Sequence, residues 1–218
     1  MTPTLILDLD GTLLDSLPDL AAALNGLLTA RGLAPLTEPE VRVMIGDGVR
    51  ALVQRGLAAR EAALDPDAVS AFLAIYEPDV AARTRPYPGI EAALARLAAE
   101  GWRLAVCTNK PEAAARALLD ALGLMPYFAA IGGGDTFPER KPHPGHVLGT
   151  LRAAGGDPAR AIMVGDLPHD IAAARAAGLP CIYVTWGYGS AEAGQRADAV
   201  IDRAKDLPAA AARLLGRS

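Results

Sequence analysis

The stretch LILDLDGTLLDS, residues 5–16, decides how the chain is read. Leu5, Ile6 and Leu7 form an apolar run of the kind that fills a buried strand. Asp8, Asp10 and Asp15 then crowd three carboxylates against its end. A buried charge without a partner is costly, so the folded chain must bring compensating groups or a cation to this point.

Outward from that stretch, short apolar runs alternate with helical patterns. TLILD (4–8), WRLAVCTN (102–109), AIMVGD (161–166) and CIYVT (181–185) read as strands, and 90–100, 111–122, 144–154 and 169–177 as helices. Gly101, Gly123, Gly155 and Gly178 fall where those helices should stop. Near-continuous apolar strands between helices predict an α/β fold, a doubly wound parallel sheet covered on both faces. Residues 16–83 break the rhythm, with helical segments at 18–31, 38–45, 49–60 and 67–82 and no strand between them. The expected organisation is a core domain of residues 1–15 and 84–218 with an inserted all-helical subdomain at 16–83. Its hinges would be Asp15–Pro18 and RTRPYPG (83–89). Thr37 with Glu40 predicts a capping box, and Pro66 a helix start.

The 218 residues suffice for such a core with its insert. With 51% hydrophobic and 21% charged residues the composition is that of an ordinary globular protein. A net charge of −4 argues against a nucleic-acid partner, whose footprint would be basic. No apolar run approaches the ~20 residues of a membrane helix, and MTPTLILD lacks the basic start of a signal peptide. Cys107 and Cys181 lie in apolar runs and are expected to be buried free thiols of a cytoplasmic protein. Of 21 basic residues only Lys110, Lys141 and Lys205 are lysines, which draws attention to the two near the strand ends.

In open parallel sheets, ligands gather at the carboxyl ends of the strands. There stand Asp8 and Asp10, then Thr108 and Asn109, then Asp166, with Lys141 ahead of a helix that opens around Pro144. Three carboxylates, a hydroxyl–amide pair and one lysine suit Mg²⁺ with a phosphate. Mg²⁺ takes oxygen ligands and uses one or two carboxylates together with substrate phosphate. The lysine and the hydroxyl are left for the remaining phosphate oxygens.

DLDGTLLDS (8–16), TNK (108–110), RKPHP (140–144) and GDLPHD (165–170), in this order, resemble the haloacid dehalogenase superfamily of phosphohydrolases. MIGDGVRALVQRGL (44–57), GGGD (132–135) and TWGYG (185–189) resemble its phosphoglycolate phosphatase-like branch. The resemblance implies a Rossmann-like core with a helical cap of the C1 type. It implies Asp8 as the nucleophile that forms an aspartyl-phosphate, a covalent route open to carboxylates. Asp10 becomes the general acid and base, its backbone carbonyl joining Asp8 and Asp166 around Mg²⁺. Gly11, Thr108, Asn109 and Lys141 bind the phosphoryl group, and Asp170 stands behind the metal or steadies Lys141. The implied activity is Mg²⁺-dependent hydrolysis of small phosphate monoesters, 2-phosphoglycolate first among them, by a monomer or homodimer with no nucleic-acid or membrane partner.

Beside this stand a phosphosugar mutase like the β-phosphoglucomutases, a sugar-phosphate or pyrophosphate phosphatase, and a non-catalytic phosphate-binding module. TNK favours the phosphatase, since the mutase relatives resemble a serine-rich motif there. Intact Asp8 and Asp10 speak against a silent module. Leu167 stands where the superfamily commonly has Ser or Thr, which removes a polar group near the metal. Asp15 reads as a hinge residue, Lys110 as either solvated or facing the cap, and His143, His146 and His169 as surface residues. Gly46 and Gly48 ahead of a helix either offer N–H groups to an anion or simply turn the chain with positive φ. With Arg50 they are the candidates for holding a substrate carboxylate. Asp8→Asn is expected to fold normally and to abolish turnover, because an amide forms no acyl-phosphate. Circular dichroism with a phosphate-release assay checks both halves; normal turnover would refute the nucleophile.

Overall fold

The computed structural model describes residues 2–216; Met1, Arg217 and Ser218, at the ends of the expected core range, lie outside the described residues. The chain order is β1 (Thr4–Leu7), β2 (Leu14–Asp15), α1 (Leu17–Ala30), α2 (Glu38–Arg42), α3 (Val49–Ala58) and α4 (Ala68–Tyr76). After β3 (Arg85–Pro86) follow α5 (Ile90–Ala99), β4 (Arg103–Cys107), α6 (Glu112–Ala121), β5 (Phe128–Gly132) and α7 (Pro144–Ala153). The chain ends with β6 (Ala161–Gly165), α8 (Pro168–Ala176), β7 (Cys181–Val184), α9 (Ala191–Gly194), β8 (Ala199–Ile201) and α10 (Leu207–Leu214).

Six strands form one parallel sheet in the order β5-β4-β1-β6-β7-β8. The chain builds outward from β1 to β4 and β5, then returns to the other side of β1 with β6. Beside β1 the winding therefore reverses, which opens a crevice at the strand ends. Alternate residues of β1 serve opposite faces. Leu5 and Leu7 pack with residues of α5, α6 and α10, such as Leu94, Leu118 and Leu207. Ile6 packs with Val147 and Leu151 of α7 and Ile171 of α8. Every residue of β1, β6 and β7 is buried, as the apolar runs predict. Gly101 and Gly123 close α5 and α6 in the left-handed region, φ +79° and +68°.

Two strands of the six-stranded sheet escape the sequence reading, β5 and β8, and they are its two edges; the two-residue strands β2 and β3 escape it as well. FAAIG and AVI are apolar but only partly buried, the first alanine-rich and the second three residues long, so neither stands out as a strand. The helix expected from Pro66 starts at Ala68, with Asp65 drawn into an ion pair with Arg31 at 2.9 Å. The capping box is present: Thr37 N donates to Glu40 Oε2 at 2.7 Å and Glu40 N to Thr37 Oγ1 at 3.4 Å.

Helices α1–α4 pack on one another, with Leu24 of α1 against Gly56 of α3 and Phe72 stacked on Tyr76 within α4 at 5.8 Å. The chain leaves the core and returns to it through the antiparallel pair β2–β3, Leu14 opposite Pro86 and Asp15 opposite Arg85. Asp19, buried in the first turn of α1, fastens the return. Its carboxylate accepts from Thr84 N and Thr84 Oγ1, both at 2.7 Å, and from Arg83 N at 3.0 Å. Removing it strands those donors, so Asp19→Ala should lower the unfolding free energy by about 2–4 kcal/mol. Urea denaturation measures this; a loss below about 0.5 kcal/mol would show that water replaces the carboxylate.

Candidate active site

The register of the sheet sets the site. Leu7 pairs with Val106 on one side and Val164 on the other, so Asp8, Thr108 and Asp166 leave three adjacent strands at one edge. Lys141, from the segment before α7, reaches the same point. Its wholly buried Nζ lies 2.8 Å from Asp8 Oδ1 and 2.7 Å from Asp170 Oδ1. Burial alone would discharge this ammonium, but the two carboxylates outweigh it and hold its pKa above the ordinary lysine value. Burial pushes the Asp8 carboxyl up despite Lys141, whereas Asp170, with the closest ammonium contact, is held below the usual range. Asp170 thus steadies Lys141, one of its two expected roles.

His146 corrects its reading as a surface residue: it is fully buried. Its Nδ1 accepts from Lys141 N at 3.1 Å, so Nε2 carries the proton and donates to Gly132 O at 3.2 Å. Burial and the Lys141 charge push its pKa down to about 4, leaving a neutral ring that orients the lysine backbone. Its signal in the sequence is the helical step to buried Thr150, one turn on.

Asp166 is fully buried and accepts from two neutral donors, Thr12 Oγ1 and Tyr188 N, each at 2.7 Å. Burial, reinforced by the nearby Asp170 charge, raises its pKa to about 7. Gly11, at φ +88°, passes so close to the Asp166 carboxylate that a Cβ there would overlap its oxygens. Two carboxylates raised by burial beside one another, with an all-oxygen donor set, fit a hard divalent cation. Asp8, His169 and Asp170 also place ligand atoms within 4.8 Å of one another. The Lys141 ammonium already contacts both carboxylates of that group, so its cationic position is filled.

Asp10 is held from two sides. Lys110 Nζ lies 3.1 Å from Asp10 Oδ2, and Ser16 Oγ donates to Asp10 Oδ1 at 2.6 Å. Lys110 is the cap-facing lysine of the two alternatives: it is buried, with Nζ 4.9 Å from the ring centroid of Tyr76 on α4. Asp10 and Tyr76 overcome the burial penalty and keep it charged. Thr108 Oγ1 accepts from Lys110 N at 3.2 Å and lines the pocket. The Asn109 amide donates to Gly46 O and Lys141 O, both at 3.0 Å, so its side chain ties the insert to the core and only its backbone is left for a phosphoryl group.

A cavity opens between these residues and the helical insert. Leu52, Phe72 and Leu73 give it an apolar roof, and Lys110 is the only basic side chain lining it among the described residues. Gly46 and Gly48 line it too, at φ +122° and +87°. Arg50 does not; it is exposed on α3, a correction to its grouping with the two glycines. His169 is also corrected: its side chain is 11% exposed and sits with Leu167 directly beneath Gly46. Leu167, in place of a polar residue, thus supplies packing for the insert. Asp15 touches Tyr188 rather than the cavity, in keeping with a hinge role.

A sheet edge built this way is that of an α/β-class enzyme hydrolysing phosphate esters. The family model for haloacid dehalogenase-like hydrolases matches residues 5–184, and the chain belongs to that family. It is 48% identical over 193 residues to the phosphoglycolate phosphatase of Agrobacterium fabrum (strain C58 / ATCC 33970), covering 86% of this chain and 82% of that one. To the phosphoglycolate phosphatase of Caulobacter vibrioides it is 43% identical over 217 residues, 97% and 92% of the two chains. The crystal structure of a predicted phosphoglycolate phosphatase from Haemophilus somnus 129pt superposes with a TM-score of 0.88 at 33% identity, covering 96% of this chain and 97% of that one.

Gly11→Ala adds a methyl that must displace the Asp166 carboxylate and strains a positive φ, so kcat/KM should fall by at least ~100-fold, about 2.7 kcal/mol. Steady-state kinetics with a thermal melt separates this from unfolding; activity within threefold of wild type would show that Asp166 yields without consequence.

Proposed function

We propose that the protein hydrolyses 2-phosphoglycolate to glycolate and phosphate, with Mg²⁺, through an aspartyl-phosphate on Asp8. The observation that carries the reading is the Asp8–Lys141–Asp170 arrangement at the edge of the sheet, which holds one carboxylate and one ammonium where a phosphoryl group would meet both. Asp8 and Asp166, with the Asp10 carbonyl, would hold Mg²⁺, which supplies positive charge to the phosphoryl oxygens.

In the first step an Asp8 oxygen bonds to phosphorus while the ester oxygen departs, taking its proton from Asp10. In the second, Asp10 takes a proton from water, the water oxygen bonds to phosphorus, and Asp8 is released with inorganic phosphate. Lys141 neutralises charge that develops in both steps, and its fixed place makes that stabilisation effective. Residues 16–83 act as the cap that excludes bulk water. Its apolar roof lowers the dielectric around Lys110, the cation best placed for the carboxylate of a small acidic leaving group. Gly46 and Gly48 bring backbone to the same pocket. Buried Cys107 and Cys181, whose thiols burial pushes well above the ordinary range, suit a reducing cytoplasm.

A panel of phosphate esters assayed with Mg²⁺ tests the assignment. A charge-assisted contact to the leaving group is worth about 1.5–3 kcal/mol, so kcat/KM for 2-phosphoglycolate should exceed that for neutral sugar phosphates by roughly 10- to 150-fold. EDTA should abolish turnover, Mg²⁺ restore it and Ca²⁺ inhibit it, since Ca²⁺ accepts more ligands with looser geometry. Preference for a sugar phosphate or pyrophosphate, or full activity in Ca²⁺, would overturn the proposal.

A further inference from the structure

The start of α1 is capped in an unusual way. A serine before a helix ordinarily turns its hydroxyl to an unpaired N–H of the first turn. Ser16 makes no such bond and instead donates its hydroxyl to Asp10 Oδ1 at 2.6 Å. The N–H groups of Ser16 and Leu17 are taken by the phenol oxygen of Tyr188, at 2.8 and 3.0 Å, from the loop after β7. That phenol donates its own proton to Asp15 Oδ1 at 3.2 Å. The same phenol oxygen lies 3.4 Å from Ser16 Oγ, so Tyr188 meets Ser16 through backbone and side chain alike.

The ring itself is fixed. Tyr188 is buried, the Arg42 guanidinium lies 5.5 Å from its centroid, and Arg42 also donates to Gly187 O beside it. The Tyr188 backbone N–H is the one that donates to Asp166 Oδ2. One loop residue therefore touches Asp166 through its backbone and, through Ser16, reaches Asp10.

We propose that Tyr188 is a positioning residue for Asp10: its phenol oxygen anchors the Ser16 and Leu17 N–H groups and lies 3.4 Å from Ser16 Oγ, which fixes Ser16 so that its hydroxyl holds the Asp10 carboxyl. Without the phenol, Ser16 loses the group that holds its backbone N–H and flanks its hydroxyl, and its grip on Asp10 opposite Lys110 loosens. The inference rests on Asp10 as the proton donor to the leaving alcohol, and the test separates the two.

The test compares kcat/KM, which covers the reaction only as far as departure of the alcohol. It uses p-nitrophenyl phosphate, whose phenolate leaves without a proton, and 2-phosphoglycolate or whichever alkyl ester the panel shows to be turned over best. Tyr188→Phe should lower kcat/KM for the alkyl ester by about 10- to 100-fold and for the aryl ester by less than about threefold. Asp10→Asn should show the same contrast, larger, and Ser16→Ala should reproduce it with Tyr188 intact. Beryllium fluoride should still label Asp8 in the Tyr188 variant. Equal losses on both esters, or none, in Tyr188→Phe and Ser16→Ala while Asp10→Asn shows the contrast would overturn the positioning role alone. Absence of the contrast in Asp10→Asn would overturn the acid assignment and the inference with it. Should Tyr188→Phe fail to fold, Ser16→Ala decides the question.

Discussion

The Lys141 ammonium sits with no access to solvent between Asp8 and Asp170, both also buried. Taking three ions out of water costs several kcal/mol for each, and only close geometry with further hydrogen bonds offsets it. Much of the surrounding structure supplies that geometry. Asp170 Oδ2 accepts from Leu167 N at 3.0 Å, which pins the carboxylate to the start of α8. His146 holds the lysine main chain from α7, and Leu9 N donates to Asp8 Oδ1 at 2.7 Å. Three separate elements are thus committed to placing one charge. A site that is to stabilise phosphoryl transfer needs its charges fixed before the substrate arrives.

The helical insert is joined to that centre by few but specific contacts. Asp19 closes the two linkers at their base, Asn109 bonds Gly46 O, and Lys110 carries the ring of Tyr76 over Asp10. Leu167 and His169 fill the space under Gly46, which has room because glycine lacks a side chain. Chemical groups of the core are therefore also the groups that feel the insert.

The sheet and its helices are largely legible in the sequence. Four buried strands are uninterrupted apolar runs, because burial on both faces tolerates nothing else. The edge strands β5 and β8 are not legible, since each is only partly buried and its apolar run is alanine-rich or very short. The gathering of polar residues at one edge of the sheet is legible for a related reason. Strand ends in a parallel sheet converge, so polar residues that follow apolar runs must share one edge.

What the sequence by itself determined is the fold class, the helical insertion and the set of polar groups at the strand ends. All of these follow from local periodicity and chain order. Only the tertiary structure decided which side chains meet across distances of a hundred residues or more. Lys110 turned inward onto Asp10 and Tyr76, and Arg50 turned out to solvent, although both are cations close to the start of a helix. His146 became a buried prop, and Tyr188, more than 170 residues from Ser16, became the cap of its helix. No local pattern encodes such pairs, because the cost of an unmatched buried donor or charge is assessed only once every neighbour is in place.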